Sequence, residues 1–468
     1  MVISHKHNFQ ELFEACSKSL TLNLPTLKEN LVRISYEKSD DLSTVYNGLP
    51  PPLPFARSEI FQTQISNSRR LTSVNGDCKA VYEVTFDITG SNFTFKPGDT
   101  IGIIPHNDDA SVNFILSHLD LISQADLPYH LSCDTSQKLK LPQHIPVRCT
   151  LRNVLKNIVD LRSILKKLFL LSLSRHTKDE NERKVLEFLC SKEGSTSYTS
   201  HILNKSFCIL DLLSVFKSCK PPIEILLTNL PRLLPRPYSI VNSYLKHPNL
   251  LKICFSVMDF ENNRKGLTSG WLERLVLEDS NIESKMENLS LYEKKTVPIY
   301  LRKNITAFSM PENLETPLIL IGPGTGIAPF IGFLEERQYL KETKDVNLGN
   351  VWVFFGCRNP KLDFIYEKEL QKYLDNGILT KLSTSFSRVD NNNVKYVQDT
   401  IQENAEELVE WIHKGASIFV CGDVKTMVAE VKKAIETCLI RHSPSDQDAA
   451  TLLSDLIREK RYLVDIWN

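Results

Sequence analysis

Apolar and polar positions change rhythm three times along the chain. Ile60 to Ser66 and Ala80 to Ile88 alternate, with Asn75-Gly76 as a turn signal between them, so they read as antiparallel strands. Lys96-Pro97-Gly98-Asp99 turns into a further strand, Thr100 to Ile104. From about Ser111 to Phe216 the period becomes helical, as in Leu151 to Leu171, which predicts a helical block inserted between barrel strands. Alternation resumes at Tyr238 to Asn242 and Leu250 to Met258. Near Thr316 short apolar runs begin to alternate with amphipathic helices: Leu318 to Ile321, Val351 to Phe355, Leu379 to Phe386, Ser417 to Val420 and Arg461 to Val464. That pattern predicts a parallel α/β sheet. Upstream of the barrel, residues to about Gly48 show short helix-like patterns, and Leu49 to Pro54 reads as an extended proline connector.

Composition narrows the function classes. The 468 residues are 42% hydrophobic, enough for a large core in several domains. Lys plus Arg equals Asp plus Glu at 56 each, so no global field favours nucleic acid and any functional charge must be local. Eleven cysteines without CxxC or Cys/His clustering read as reduced thiols, and no metal site is expected. Pro317 to Leu334 is the longest apolar stretch, but its four glycines and three prolines suit strand, turn and helix better than a membrane span. No signal peptide or membrane anchor is visible, and the expected location is cytoplasmic.

Four groups of residues carry candidate chemistry. Gly322-Pro-Gly-Thr-Gly-Ile-Ala328 follows an apolar strand and opens a helix, where glycines let a pyrophosphate approach the helix N-terminal amides. Ser387-Arg388 ends a later strand, and Lys395-Tyr396-Val397-Gln398 follows a polar loop. A guanidinium, a hydroxyl and an aromatic ring there suit the extra phosphate and adenine of NADP, hence NADPH over NADH. Arg236-Pro237-Tyr238-Ser239 and Lys265-Gly266-Leu267-Thr268-Ser269 together offer an arginine, helix amides and a stacking tyrosine, which are requirements for FAD. Finally, Cys421-Gly422-Asp423 follows a strand, and the chain ends Asp465-Ile466-Trp467-Asn468, where a terminal ring can lie against a flavin face.

In this order, RPYS, KGLTSGW, GPGTGIAPF, SFSR, KYVQ, CGD and terminal DIW resemble the NADPH-dependent diflavin reductases, which share the ferredoxin-NADP reductase fold. Within that family, the segments at Leu141 to Cys149, Phe354 to Arg358 and Gly377 to Thr380 are similar to the branch that serves cobalamin-dependent methionine synthase. The resemblance implies a multidomain α/β and β protein. An N-terminal segment and linker (1–50) precede an antiparallel FAD-binding β-barrel (51–305), interrupted by a helical connecting domain at about 108–227 and followed by a parallel-sheet NADP-binding domain (306–468). It assigns FAD to Arg69 or Arg70, Arg236, Pro237, Tyr238, Ser239, Gly266, Leu267, Thr268, Ser269 and Trp467. It assigns NADP to Gly324, Thr325, Gly326, Ile327, Ala328, Ser387, Arg388, Tyr396, Val397, Gln398 and Asp423. Ser239, Cys421, Asp465 and Trp467 match the group that assists hydride transfer, which needs nicotinamide and flavin held roughly 3 to 3.5 Å apart. The family's flavodoxin-like FMN domain has no counterpart in residues 1 to 50, so FMN is not expected in this chain. The implied partner is methionine synthase or a separate FMN or iron-sulfur carrier, with neither nucleic acid nor membrane. The alternatives are a single-flavin reductase of such a carrier and a non-catalytic nucleotide-binding chaperone module.

Overall fold

The computed structural model describes residues 3–16, 22–27, 32–37, 50–133, 141–260, 264–283, 295–344, 346–389, 394–423, 427–442 and 446–467. They form two units. The first comprises Met1–Pro52, Ile104–Pro235 and Asp259–Thr268, and the second Leu53–Ile103, Arg236–Met258 and Ser269–Asn468.

The first unit is mainly helical. Its helices start where the sequence supplies caps: Asp108 accepts from Ser111 N at 2.8 Å ahead of Asp109–His118, and Asp179 accepts from Glu182 N at 2.9 Å ahead of Glu180–Cys190. Lys167–Ser174 is apolar almost all round, and its residues from Phe169 onward are buried as the central helix of the unit. Helical periodicity was expected throughout this block, yet it also contains a three-stranded antiparallel sheet. Pro128–Cys133 lies between Arg148–Thr150 and Val32–Tyr36, with Val32 opposite Cys133 and Tyr36 opposite Tyr129. Tyr129 and Leu131 point inward while His130 is exposed, an alternation too short to stand out among leucine-rich helices. The described residues of the stretch expected as an N-terminal segment and linker pack within this unit. Its helix Ile3–Cys16 buries Phe9 against the rings of His201, Phe207 and Phe216 at 5.5, 5.2 and 5.4 Å.

The second unit opens with a six-stranded antiparallel sheet made of β1 (Phe61–Arg70), β2 (Val81–Asp87), β3 (Thr100–Ile103), β4 (Arg236–Ser239), β5 (Leu250–Ser256) and β6 (Val297–Leu301). The order is β4-β3-β6-β1-β2-β5. An Ile240–Ile253 bridge and a 2.9 Å bond from Val241 N to Lys252 O join the two edge strands, closing a barrel. Its interior holds Val84, Phe86, Ile101, Ile253 and Ile299, covered by Trp271 and Leu272 of helix Leu267–Glu283. Sequence patterning had not marked β6, whose proline and short length hide a buried central strand.

The same unit continues into a five-stranded parallel sheet: β7 (Leu318–Ile321), β8 (Val351–Cys357), β9 (Lys381–Phe386), β10 (Ser417–Asp423) and β11 (Tyr462–Trp467), ordered β9-β8-β7-β10-β11. All four residues of β7 are buried because helices cover both faces, as the unbroken Leu-Ile-Leu-Ile run requires. The chain reverses its direction of sheet growth at β7, where parallel sheets leave a crevice at the strands' carboxyl ends. No helix among the described residues is long and apolar enough to cross a membrane.

Replacing Phe9 by alanine is expected to destabilise the helical unit by about 3–5 kcal/mol, since a buried aromatic side chain is lost from a packed core. Urea unfolding of the full chain followed by far-ultraviolet circular dichroism measures it; an unchanged first transition contradicts an integral N-terminal helix.

Candidate functional site

Behind β7 the chain turns through Gly322–Gly326 into a 3-10 turn, Gly324–Ile327, and then helix Ala328–Lys344. A Cβ on Gly322 would stand 2.4 Å from the Gly326 carbonyl oxygen, and Gly324 has φ +55°, so both positions select glycine. Gly326, Ile327 and Ala328 lie buried under the turn, while Pro323, Gly324 and Thr325 face a cavity of ≈ 690 Å³.

Other strand ends complete this cavity. Gly356, Cys357 and Arg358 come from the end of β8, Ser385 and Ser387 from that of β9, and Lys395 to Gln398 from the start of helix Val397–Glu403. The Asp399 carboxylate holds that start by accepting from Lys395 N and Tyr396 N at 3.1 and 2.9 Å. Tyr396 is 54% exposed, and Gln398 donates to Glu430 at 2.8 Å. Arg388 lies outside the lining and pairs with Asp77 of the barrel's β1–β2 turn. The barrel contributes Thr72, Lys79, Val81 and Ser256, which local sequence could not associate with a wall so distant in the chain. Arg358 and Lys395 did sit inside the recognised FFGCR and KYVQ strings, which was their only signal.

A second constellation joins the end of the barrel strand β4 to the last strands of the parallel sheet. Ser239 Oγ donates to Asp465 Oδ2 at 3.0 Å, and Cys421 Sγ lies 3.8 Å from the same oxygen. Cys421 and Asp465 face each other across the β10–β11 ladder. Burial pushes the Asp465 carboxyl above its ordinary range, against the lowering effect of the Ser239 and Cys421 hydrogen bonds and the Arg302 charge. Burial, reinforced by the Asp465 charge, pushes the Cys421 thiol well up, so it remains a neutral donor. Asp423 and Trp467 are paired at the ends of these strands, but their side chains lie outside the described residues.

The remaining candidates fall into place separately. Arg236, Pro237 and Tyr238 pair with Ile103, Gly102 and Ile101, and the Tyr238 ring meets Phe255 edge-on at 6.2 Å. Gly266, Leu267 and Thr268 belong to the helical unit, whereas Ser269 Oγ accepts from Met258 N at 3.2 Å in the second unit. Arg69 is held by Glu83 at 3.0 Å and Glu369 at 2.6 Å, over the ring of Tyr366. Arg70 donates to the carbonyls of Thr72 and Ser73 at 3.2 and 2.8 Å.

Two observations bear on whether such residues fit nucleotide cofactors. The Thr268 Oγ1 and Ser385 Oγ atoms are buried with no hydrogen-bond partner among the described residues. Buried hydroxyls are normally paired, so one in the glycine-bearing loop and one lining the cavity suit ligands rich in phosphate and hydroxyl groups.

Comparison with known proteins agrees with this arrangement. The FAD binding domain model matches residues 53–271, and the oxidoreductase NAD-binding domain model matches residues 320–433. Methionine synthase reductase of Homo sapiens is 38% identical over 428 residues, 87% of this chain and 61% of that protein. Its Rattus norvegicus counterpart is 34% identical over 470 residues, 96% of this chain and 66% of that protein. NADPH–cytochrome P450 reductase of Homo sapiens is 30% identical over 423 residues, 89% of this chain and 60% of that protein. The chain thus spans a little under two thirds of the length of these relatives.

Asp465→Asn provides a pH test of the buried carboxyl. Because its folded pKa is raised, its contribution to stability is greatest below the ordinary carboxylate value of about 3.9 and is lost as pH rises through the folded value. Wild-type stability relative to Asp465→Asn should therefore fall between acid pH and neutrality in urea titrations; a pH-independent difference contradicts the burial.

Proposed function

Because the chain belongs to the NADPH-dependent diflavin reductase family and carries its FAD- and NAD-binding domains, we propose that it is an NADPH-dependent FAD flavoprotein reductase. In this reading bound FAD would accept hydride from NADPH, and the electrons would serve the reductive reactivation of cobalamin-dependent methionine synthase. The observation that carries the first part is the Ser239–Asp465–Cys421 constellation, which binds the barrel's Arg-Pro-Tyr-Ser strand to the nucleotide sheet at 3.0 and 3.8 Å. Ser239 lies in the motif read for FAD, and Cys421 and Asp465 lie on the strands of the nucleotide-binding sheet.

Bound FAD supplies the hydride-accepting chemistry. In this reading the protein positions it. Arg236 would serve its diphosphate, as would the amides of Gly266 to Thr268; Tyr238 and Trp467 would serve its ring system, with Pro237 and Ser269, and Arg69 or Arg70 its far end. Gly324 to Ala328 offer backbone amides to the NADP pyrophosphate; Ser387, Arg388, Tyr396, Val397, Gln398 and Asp423 take the adenosine phosphate and the remainder. Ser239 and Cys421 donate to Asp465 and hold its charge beside the reacting edge, where fixed dipoles stabilise shifting charge without reorganising. The residue ranges 51–305, with its helical insertion at about 108–227, and 306–468 serve as the functional domains.

The choice of acceptor rests on the relatives. Identity to methionine synthase reductase, 38% in Homo sapiens, exceeds the 30% to NADPH–cytochrome P450 reductase of the same organism. The partner is then methionine synthase, reached directly or through an FMN-bearing carrier. Coupled reactivation of methionine synthase, with and without an added FMN domain, tests this part; failure under both conditions, with artificial acceptors still reduced, contradicts it.

Arg388→Ala should lower the NADPH over NADH preference in kcat/KM by roughly 10- to 100-fold, the worth of a charge-assisted phosphate contact. Steady-state kinetics with both nucleotides reads it. An unchanged ratio would remove Arg388 from the phosphate site.

A further inference from the structure

In the helical unit, Gly266, Leu267 and Thr268 are delivered by a small hairpin in which Asp259–Phe260 pairs antiparallel with Arg264–Lys265. Two paired strands of two residues each are too short to be stable alone. Two guanidinium groups hold the turn. The Arg264 side chain, 14% exposed, donates to Ser206 O at 2.7 Å and to Cys208 Sγ at 3.3 Å. It lies 3.4 Å from the Asp211 carboxylate and covers the Phe260 ring at 4.8 Å. Asp211 is fixed in turn by accepting from Cys208 N at 3.0 Å.

Arg162, 16% exposed, comes from the turn between two helices of the insertion. It donates to the carbonyl of Lys265 and pairs with Asp108 at 2.8 Å. Asp108 is itself immobilised as the cap of helix Asp109–His118, accepting from Ser111 N and Oγ at 2.8 and 3.0 Å. The Lys265 carbonyl and the Gly266 N–H belong to one trans peptide, so they point in opposite directions. Fixing the carbonyl fixes the direction in which the Gly266 amide is presented. The Nε atoms of Arg162 and Arg264 and the Thr268 hydroxyl are all buried without a partner among the described residues, leaving unspent donors near this loop.

We propose that Arg162 and Arg264 are positioning residues of the flavin site, through which the helical insertion orients the Gly266–Thr268 loop for the FAD diphosphate. The inference rests on the assignment of that loop to FAD. It gives the insertion a part in cofactor retention.

The test uses the full chain, stripped of flavin and titrated with FAD by quenching of flavin fluorescence. Arg162→Ala should weaken FAD by about tenfold or more, the loss of a charged donor to a buried carbonyl. Arg162→Lys should recover part of the affinity, and Asp108→Asn, which loosens Arg162 without removing it, should weaken FAD less than Arg162→Ala does. NADP+ affinity measured by calorimetry on the same proteins should stay within about twofold, and Lys220→Ala, which breaks a surface pair with Asp120, should leave both affinities unchanged. If Arg162→Ala fails to fold, Arg162→Lys and Asp108→Asn decide. Wild-type FAD affinity in the folded variants overturns the positioning role. A wild-type chain that takes up no FAD contradicts the flavin assignment itself, and the proposal with it.

Discussion

In the second unit one buried carboxylate ties the barrel to the parallel sheet. Asp465 is carried almost to the end of the chain on β11, is buried there, and receives hydrogen bonds from a serine of the barrel and a cysteine of the neighbouring parallel strand. Burying a carboxylate is costly unless its oxygens are satisfied. Here the donors are a hydroxyl and a thiol, with the positive charge of Arg302 adding a smaller stabilising influence. A bidentate guanidinium would have held the charge more tightly, but it would also have fixed a full positive charge beside the proposed reacting edge. Neutral donors leave the carboxylate's proton affinity high and its field available to balance charge that shifts with a hydride.

That contact has meaning only because two different sheets arrive at it. The antiparallel barrel closes on itself through Ile240 and Ile253, which gives β4 a defined direction and sends Ser239 to its end. The parallel sheet is buried on both faces, so its strand ends are set by core packing and its loops are left to chemistry. The glycine turn after β7, the strand ends carrying Arg358 and Ser387, and the helix start carrying Lys395 line one cavity.

Much of this was legible in the chain. The Leu318–Ile321 run followed by Gly322-Pro-Gly-Thr-Gly makes strand, turn and helix legible in one continuous segment, because each step has a local physical cause. Ser239, Cys421 and Asp465 were assembled from three separate motifs, and the structure brings them to hydrogen-bonding range. What was not legible depends on partners remote in sequence. Val32–Tyr36 becomes a strand only because Pro128–Cys133 lies beside it, and Thr72 and Lys79 line a wall whose other side is formed by residues beyond Pro323. Arg162 looked like one more basic residue in a leucine-rich helical stretch; its bond to the Lys265 carbonyl could not be inferred from spacing.

In the proposed function the Asp465 constellation serves hydride transfer between nicotinamide and flavin. The most direct measurement is anaerobic stopped-flow bleaching of FAD-loaded protein by NADPH, compared for the wild type and Asp465→Ala, with the deuterated nucleotide reporting the transfer step. The expected result is rapid bleaching with a primary isotope effect in the wild type, and a transfer slowed by roughly 10- to 100-fold in the variant, in keeping with the worth of a positioned electrostatic group. Bleaching at the same rate in both proteins, or none in the wild type despite bound FAD, would contradict that role.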